Sequence, residues 1–216
     1  MHVTICTMAA GERYLTLAQD LAASLHHLQF PHELVWLWKS NLVLPAAVKP
    51  ALILSALQDL RGEYIFFLDA DMRIVEDLAL DDLAGELVGV EHFFPQAVDY
   101  PVPESLAHVP DRKRWWQTCL FGGERDAVLS ACREAARLIR QEGVRGQGSG
   151  VRDEEAYLNK VFHERADIMR TLPPNFATPT DFDRWPASYR QSYEQLAGNA
   201  VPKILHGNAS AGNPTR

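Results

Sequence analysis

The chain has 216 residues, of which 47% are hydrophobic and 23% charged, a composition that favours one globular domain with its own core. A formal net charge of -7 and a pI of about 5.6 give no overall electrostatic support to non-specific binding of nucleic acid or of an anionic membrane. The three cysteines, Cys6, Cys119 and Cys132, lack the spacing of a metal site and are expected to be free thiols in a reducing compartment.

The start of the chain, MHVTICTMAAGERY, has neither the basic beginning nor the long apolar region of a signal peptide. No later segment reaches about 18 uninterrupted apolar residues, the length that a membrane-spanning helix needs. We therefore expect a protein of the cytoplasm without a transmembrane segment.

The first third of the chain alternates between strand and helix patterns. Apolar runs and apolar residues at helical spacing predict three strands and two helices, the strands at 2–8, 32–38 and 64–71 and the helices at 12–28 and 46–60. Pro50 is tolerated if the second helix begins at or just before it. This order predicts an α/β fold in which an open, mostly parallel sheet is flanked by helices.

The rest of the chain changes character without forming a second composition block. Residues 91–123 are rich in proline and aromatic residues, and an amphipathic helix is predicted at 124–143. A flexible connection, VRGQGSGVR, precedes a helix predicted at 153–164, and the terminal segment HGNASAGNPTR is polar enough to be disordered unless a ligand orders it. We therefore expect a single domain over residues 1–216.

Two carboxylates, Asp69 and Asp71, directly follow the apolar run YIFFL. Such a run predicts a buried strand, and ligands of open α/β sheets bind beyond the carboxyl ends of the strands. Acids one residue apart on an extended chain project to opposite sides, so they share one cation only if the chain turns there or if one acts through water or a ribose. Their oxygens suit Mg2+ or Mn2+, and an ordinary polar strand end is the alternative.

Three further segments carry candidate chemistry, each with a structural alternative. Glu154 and Glu155, in DEEAYLNK, suit a nucleophile or a stabiliser of an oxocarbenium-like centre, or simply a solvated helix start. WWQTCLFGG combines aromatic planes that suit sugar faces with glycines that permit close approach, or else is core packing followed by a turn. Lys203 and His206 are able to reach phosphates or a metal from a mobile tail, or are ordinary solvated side chains.

Taken in order, these segments resemble glycosyltransferase family 6, the family of the histo-blood-group A and B transferases and the α1,3-galactosyltransferases, in the short form of bacteria and phages. YIFFLDADM resembles the strand and Asp-x-Asp motif of the family, and EEAYLNKVF resembles its Asp-Glu-Ser-His-Leu-Asn-Lys-Tyr segment. SLAHVP followed by WWQTCLFGG resembles its Ser-x-Ala-Tyr-Ile-Pro and Tyr-Tyr-x-x-x-Phe-Phe-Gly-Gly motifs, and AVPK resembles its C-terminal basic stretch. The resemblance covers most of residues 1–176.

The resemblance implies a GT-A fold with a Rossmann-like nucleotide-sugar-binding half at 1–75, an acceptor and catalytic half at 76–200 and a flexible tail at 201–216. It implies a retaining hexosyltransferase that uses Mn2+ or Mg2+ and a UDP-sugar donor. Galactose or N-acetylgalactosamine would pass to a hydroxyl of an oligosaccharide or glycolipid in α1,3 linkage. Contact with a membrane is then expected only at its periphery, where such an acceptor is displayed.

The resemblance also implies roles for residues. Asp69 and Asp71 would hold the metal, and Glu155 would be the catalytic carboxylate, either as a nucleophile or as the stabiliser of a front-face reaction. The nucleotide would contact seven residues, namely Ala9, Ala10, Tyr14, Asp69, Ala70, Lys203 and His206. The donor or acceptor sugar would contact six residues, namely His92, Trp116, Gln117, Thr118, Cys119 and Glu154. Because Cys119 is larger than glycine or alanine at a donor-selecting position, galactose is expected over N-acetylgalactosamine.

The chain departs from the family near the catalytic acid. Arg152 stands where the family has tryptophan, Glu154 where it has aspartate, and Ala156-Tyr157 where it has Ser-His. DADMRIVEDLALDDL and HGN also resemble glycosyltransferase family 8, a retaining GT-A group in which the tail histidine is a metal ligand. Two other classes stay open: a haloacid-dehalogenase-type phosphatase, which also follows an apolar strand with Asp-x-Asp, and a non-catalytic module that binds nucleotide sugars or glycans.

Overall fold

The structure, a computed structural model, describes residues 2–40, 48–93, 114–144 and 154–207. Three features of the sequence lie outside the described residues: the SLAHVP motif, the VRGQGSGVR connection after its first residue, which includes Arg152, and the terminal segment from residue 208 onward. Among the described helices, none is long and apolar enough to cross a membrane.

Strands and helices alternate through the first part of the described chain. The strands are β1 (Val3–Ala10), β2 (Glu33–Ser40), β3 (Tyr64–Leu68), β4 (Met72–Ile74), β5 (Leu87–Glu91), β6 (Trp116–Glu124), β7 (Met169–Leu172), β8 (Thr178–Pro179) and β9 (Ile204–His206). The helices are α1 (Glu12–His27), α2 (Lys49–Ser55), α3 (Leu80–Leu83), α4 (Arg125–Val144), α5 (Glu155–Glu164) and α6 (Ala187–Ala197). Short 3-10 helices lie at Pro174–Phe176 and Phe182–Arg184.

The elements predicted from hydrophobic periodicity are confirmed, with shifted ends. Strands β1, β2 and β3 and helices α1, α2, α4 and α5 all form where the pattern predicts them. Helix α2 begins at Lys49, so Pro50 occupies its first turn as expected. Strand β3 ends at Leu68 rather than at residue 71, because the chain turns directly after it.

Six strands form one mixed sheet in the order β2-β1-β3-β6-β5-β7. Strand β1 is parallel to β2 and β3, and β5 is parallel to β7, whereas β6 runs antiparallel to both of its neighbours. Five strands therefore point one way and β6 points the other. The predicted α/β fold is confirmed as a mixed sheet flanked by helices.

Strand β3 is buried on both faces of this sheet, which explains its uninterrupted apolar run. Ile65 and Phe67 pack on the face that carries α2, α4 and α5, whereas Phe66 and Leu68 pack on the face that carries α1. Alternation of side chains along the strand distributes the four residues between the two cores.

A second, three-stranded sheet in the order β4-β9-β8 carries the end of the described chain. The prediction of a flexible tail at 201–216 is wrong for residues 204–206, which form β9, antiparallel to β4 and parallel to β8. The reason is that Ile204 is fully buried beside Met72 and Ile74, and hydrogen bonds hold the strand on both sides. His206 is thereby fixed opposite Met72.

The glycines of WWQTCLFGG serve the packing of β6 against its neighbours. A β-carbon on Gly122 would overlap the ring of Phe66 and the carbonyl of Ile65. Gly123 has a φ of 132°, and the Glu86 carbonyl occupies the position where its β-carbon would lie. The glycines therefore permit the close approach of β6 to its neighbouring strands. The structural alternative for this motif, core packing followed by a turn, is right about the packing, but both glycines lie within β6 rather than in a turn.

Replacing Gly122 by alanine is expected to lower the free energy of unfolding by about 3 kcal/mol, because the added methyl group meets a fully buried ring and a backbone carbonyl. Gly85→Ala is the control, because its φ is not positive and its β-carbon would meet only the side chains of Val88 and Arg170, at 3.0 and 3.3 Å, so we expect a cost of about 1 kcal/mol. Urea denaturation compares the two variants. Equal losses would show that the contact with Phe66 has no energetic weight.

Candidate functional site

The candidate site lies at one edge of the six-stranded sheet. Strand β1 ends there at Ala10, β3 at Leu68 and β5 at Glu91. Because β6 is antiparallel to β3 and β5, its first residue, Trp116, lies at this same edge. The edge is therefore the carboxyl side of the strands, where open α/β sheets bind their ligands.

The chain turns between Asp69 and Met72. The N–H of Met72 donates to the carbonyl of Asp69 at 3.0 Å, which closes a β-turn, and the N–H of Asp69 donates to the carbonyl of Cys119 at 2.8 Å. An extended chain would separate the two carboxylates, so this turn is what allows Asp69 and Asp71 to face the same side.

Asp69, Asp71 and His206 form a cluster that could hold a metal ion. Their potential ligand atoms all lie within 4.8 Å of one another, and His206 Nε2 is 3.5 Å from Asp71 Oδ1 and 3.9 Å from Asp69 Oδ2. Burial raises the pKa of Asp71, His206 opposes this shift, and Asp69 adds to it. A bound cation would relieve the repulsion between the two carboxylates.

Lys49 joins this cluster to a second pair of acids. Its Nζ lies 2.7 Å from Asp69 Oδ1 and 2.7 Å from Glu154 Oε1, and it also lies 4.8 Å from the centroid of the Phe67 ring. Burial on its own lowers the pKa of Lys49, but the two carboxylates outweigh it and the net pKa is raised. The ammonium group is therefore charged. From the start of α2 it connects Asp69, which follows β3, to Glu154, which precedes α5.

Glu154 is 1% exposed and precedes the first residue of α5. Its Oε1 accepts hydrogen bonds from Lys49 Nζ and, at 2.9 Å, from Thr118 Oγ1. Its Oε2 is buried without a hydrogen-bond partner in the described part of the chain. Burial raises the pKa of Glu154, and Lys49 opposes the shift. An unpaired buried carboxylate oxygen is a strong acceptor for a ligand hydroxyl group.

Glu155 is the first residue of α5, and β6 and the segment before it surround its carboxylate. Oε1 accepts a hydrogen bond from Trp115 Nε1 at 2.9 Å, and Oε2 accepts one from the Thr118 N–H at 3.3 Å. His92 Nε2 lies 3.9 Å from Oε1. Burial lowers the pKa of His92 to about 4, so the imidazole is neutral at pH 7 and this contact is not an ion pair.

Asn159 docks α5 onto the start of β6. Its side chain accepts from the Trp116 N–H at 2.7 Å and donates to the Trp116 carbonyl at 2.8 Å and to the Glu155 carbonyl at 2.9 Å. A fully buried amide with these bonds fixes the register between helix and strand. Glu154 and Glu155 owe their positions to this contact.

The residues predicted to contact the nucleotide lie at the end of β1 and in the turn after β3. Ala9 and Ala70 are buried together in a small cluster with Ala18. Their methyl groups are therefore not accessible, and only their backbone groups could contact a nucleotide. Ala10 is the last residue of β1, and Tyr14, in the first turn of α1, is 41% exposed. These positions leave the tyrosine ring accessible at the sheet edge.

Two predicted residues are not brought to the cluster. Lys203, expected to close over a diphosphate, instead forms an ion pair with Asp82 at 2.5 Å and packs its ammonium over the Phe176 ring. Trp116, expected at the sugar, is fully buried and donates its indole N–H to Thr171 Oγ1 at 3.0 Å. Strand pairing accounts for both positions. The pairing of β9 with β4 holds the backbone of Lys203 beside Val75, and the pairing of β6 leaves the Trp116 ring against Phe162 of α5.

The remaining predicted sugar contacts lie along β6. Gln117 donates to the Glu91 carbonyl at 3.2 Å, and Thr118 contacts both glutamates. Cys119 is 5% exposed, and its Sγ lies 3.8 Å from Gln117 Oε1. Burial raises the pKa of Cys119 well above the ordinary thiol value, so this side chain acts through its volume rather than as a nucleophile.

Three residues of the site escape motif reasoning: Lys49, Trp115 and Asn159. A lysine inside the otherwise apolar segment AAVKPALIL is a signal, because a buried helix face accepts a charge only when that charge is paired. For the adjacent tryptophans, the sequence leaves sugar contact and core packing open, and the structure buries both in one core cluster.

The chain matches no protein-family model and no curated protein, so the chemistry of the site rests on its own residues.

Proposed function

We propose that this protein is a retaining glycosyltransferase with a GT-A-type fold. It would move galactose or N-acetylgalactosamine from a UDP-sugar to a hydroxyl of an oligosaccharide or glycolipid in α1,3 linkage, in the cytoplasm or at the periphery of a membrane. The observation that carries the proposal is a line of contacts. It runs from the Asp69, Asp71 and His206 cluster through Lys49 to Glu154, which shares the Thr118 hydroxyl with Glu155. These contacts join a cluster that could bind a metal ion to a pair of carboxylates at one edge of the sheet.

The donor set of the cluster fits Mn2+ or Mg2+. Two carboxylates and an imidazole, with ligand atoms within 4.8 Å of one another, are ligand types that Mn2+ accepts, and Mg2+ prefers the oxygens. When bound, such a cation neutralises charge on a diphosphate and makes it a better leaving group. Lys49 orients Asp69 by holding its Oδ1, which leaves Oδ2 directed toward His206.

The two glutamates would act on the donor sugar. The unpaired Oε2 of Glu154 suits a sugar hydroxyl, which would supply the partner that this buried oxygen lacks. Glu155 would either attack the anomeric carbon or stabilise positive charge on it. The bond from the anomeric carbon to the diphosphate oxygen would break with its electron pair staying on UDP. The acceptor oxygen would bond to that carbon on the same face, and its proton would pass to the diphosphate oxygen that leaves.

A second candidate is a retaining UDP-sugar transferase of the family 8 type. His206 favours it, because a histidine near the end of the chain belongs to the same ligand cluster as the two aspartates. This candidate changes the expected sugar more than the mechanism. Its discriminator is the donor that the protein uses.

UDP release from UDP-galactose, UDP-N-acetylgalactosamine or UDP-glucose tests the proposal. We expect release that requires Mn2+, stops when a chelator is added, and is fastest with UDP-galactose. Preference for UDP-N-acetylgalactosamine would overturn the role given to the volume of Cys119, and preference for UDP-glucose would favour the family 8 type.

Two outcomes of this assay would overturn the transferase itself. Hydrolysis of an aryl phosphate without any turnover of nucleotide sugar would favour a phosphatase. Binding of UDP-sugars without turnover, even with a wide set of acceptors, would favour a non-catalytic module.

A further inference from the structure

We infer that Trp115 is the positioning residue of Glu155, and that its indole N–H fixes which carboxylate oxygen of Glu155 is presented to the reacting carbon. The inference rests on the proposed function, in which Glu155 acts at the anomeric carbon. The sequence offers Trp115 only as an aromatic plane for a sugar, and the inferred role belongs to its N–H instead.

The contact joins a buried donor to a partly buried acceptor. Trp115 is 0% exposed, and its Nε1 lies 2.9 Å from Glu155 Oε1, whose side chain is 15% exposed. An indole N–H is a donor only, and it has one hydrogen to give. A hydrogen bond from such a donor to a carboxylate is stronger than a bond between neutral groups.

The second oxygen of Glu155 is held less tightly. Oε2 accepts from the Thr118 N–H at 3.3 Å, and Thr118 Oγ1 is 3.5 Å away but lies closer, at 2.9 Å, to Glu154 Oε1. The Trp115 hydrogen bond, at 2.9 Å, is shorter than either Thr118 contact. Its loss would remove the contact that sets the position of Oε1 and would let the carboxylate turn about its last torsion.

Position matters for a group that acts on a reacting carbon. Trp115 is itself rigid, because it is packed in the core cluster that also contains Tyr157 and Leu158 of α5. The same helix that carries Glu155 therefore also clamps the ring that holds it. A displacement of about 1 Å at a reacting group costs on the order of 100-fold in rate.

The test is Trp115→Phe, which removes the N–H and keeps an aromatic ring. We expect kcat for Mn2+-dependent release of UDP from the preferred donor to fall by about 10- to 100-fold, while KM for the donor and Kd for UDP stay within about twofold. A loss of packing alone would instead lower the stability and leave the kcat of the folded fraction unchanged.

Trp185→Phe is the matched control. It removes a bond of the same kind, from Trp185 Nε1 to Asp181 Oδ1 at 2.9 Å, and we expect its kcat to stay within about twofold of the unchanged protein. If Trp115→Phe does not fold, β-(3-benzothienyl)alanine at position 115 keeps the shape of tryptophan and removes only the N–H.

The outcomes separate the inference from the proposed function. An active protein whose kcat is unaffected by either replacement at position 115 overturns the inference alone. A protein that releases no UDP from any donor, even with a wide set of acceptors, overturns the proposed function, and the inference with it.

Discussion

Replacing Glu155 by glutamine is expected to lower the rate of Mn2+-dependent UDP release by about 100- to 1,000-fold. Losses of this size are typical when an enzyme loses one preorganised group that stabilises charge in the transition state. The amide keeps the shape of the carboxylate and its oxygen still accepts the Trp115 N–H, but it has no negative charge to offer an oxocarbenium-like centre. Because Glu155 is not a member of the metal cluster, the affinity for UDP in the presence of Mn2+ is expected to stay nearly unchanged.

Glu164→Gln is the control for this variant. Glu164 lies at the other end of the same helix, where it pairs with Lys160 at 2.7 Å and is half exposed. The chemical change is identical, and we expect no more than a twofold effect on turnover. Full activity of the Glu155 variant would remove Glu155 from the site.

The second large effect is expected at Lys49. Lys49→Met leaves the carboxylates of Asp69 and Glu154 next to each other without the ammonium between them, and the side chain of Glu154 is 1% exposed. Breaking a buried ion pair in this way costs about 3–5 kcal/mol of stability, because a charge stays buried without a partner. Urea denaturation without metal measures this loss directly.

A second variant and a control separate the buried charge from lost packing. Lys49→Met combined with Glu154→Gln removes one of the stranded charges, so part of the stability is expected to return. Lys160→Met breaks a helix-surface pair with Glu164 and is expected to cost less than about 1 kcal/mol. If the single Lys49 variant costs no more than the Lys160 variant, the bridge does not hold the site together.

Much of the fold follows from patterns that lie within a few residues of each other. The run YIFFL predicts a strand buried on both faces, and the structure buries Ile65 through Leu68 between two layers. The helix predicted at 124–143 forms as Arg125–Val144. Periodicity succeeds there because burial of an apolar face decides each element locally.

Long-range pairing limits what the sequence predicts. Nothing in WQTCLFGGE shows that β6 inserts antiparallel between β3 and β5, yet this insertion brings Thr118 beside the glutamates. The short strand at 204–206 looks like part of a polar tail, because the residues that pair with it lie 27 or more residues away along the chain.

The candidate site shows the same division. Asp69 and Asp71 stand out because paired acids directly after a buried strand need a reason, whereas Glu155 is singled out by the family resemblance. Between Trp115 and Trp116, a shift of one residue in strand register exchanges the face that each indole occupies. Pairing alone decides that the N–H of Trp115 reaches Glu155 and that of Trp116 reaches Thr171.

The central claim, that the acids after β3 anchor a sugar nucleotide through a divalent cation, is tested most directly by calorimetry of UDP binding with and without Mn2+. We expect binding that requires Mn2+, and we expect it to weaken by at least about tenfold, equivalent to about 1.4 kcal/mol, in Asp71→Asn. UDP binding of equal strength in Mn2+ and in a chelator, or an Asp71 variant that binds as the unchanged protein does, would contradict the claim.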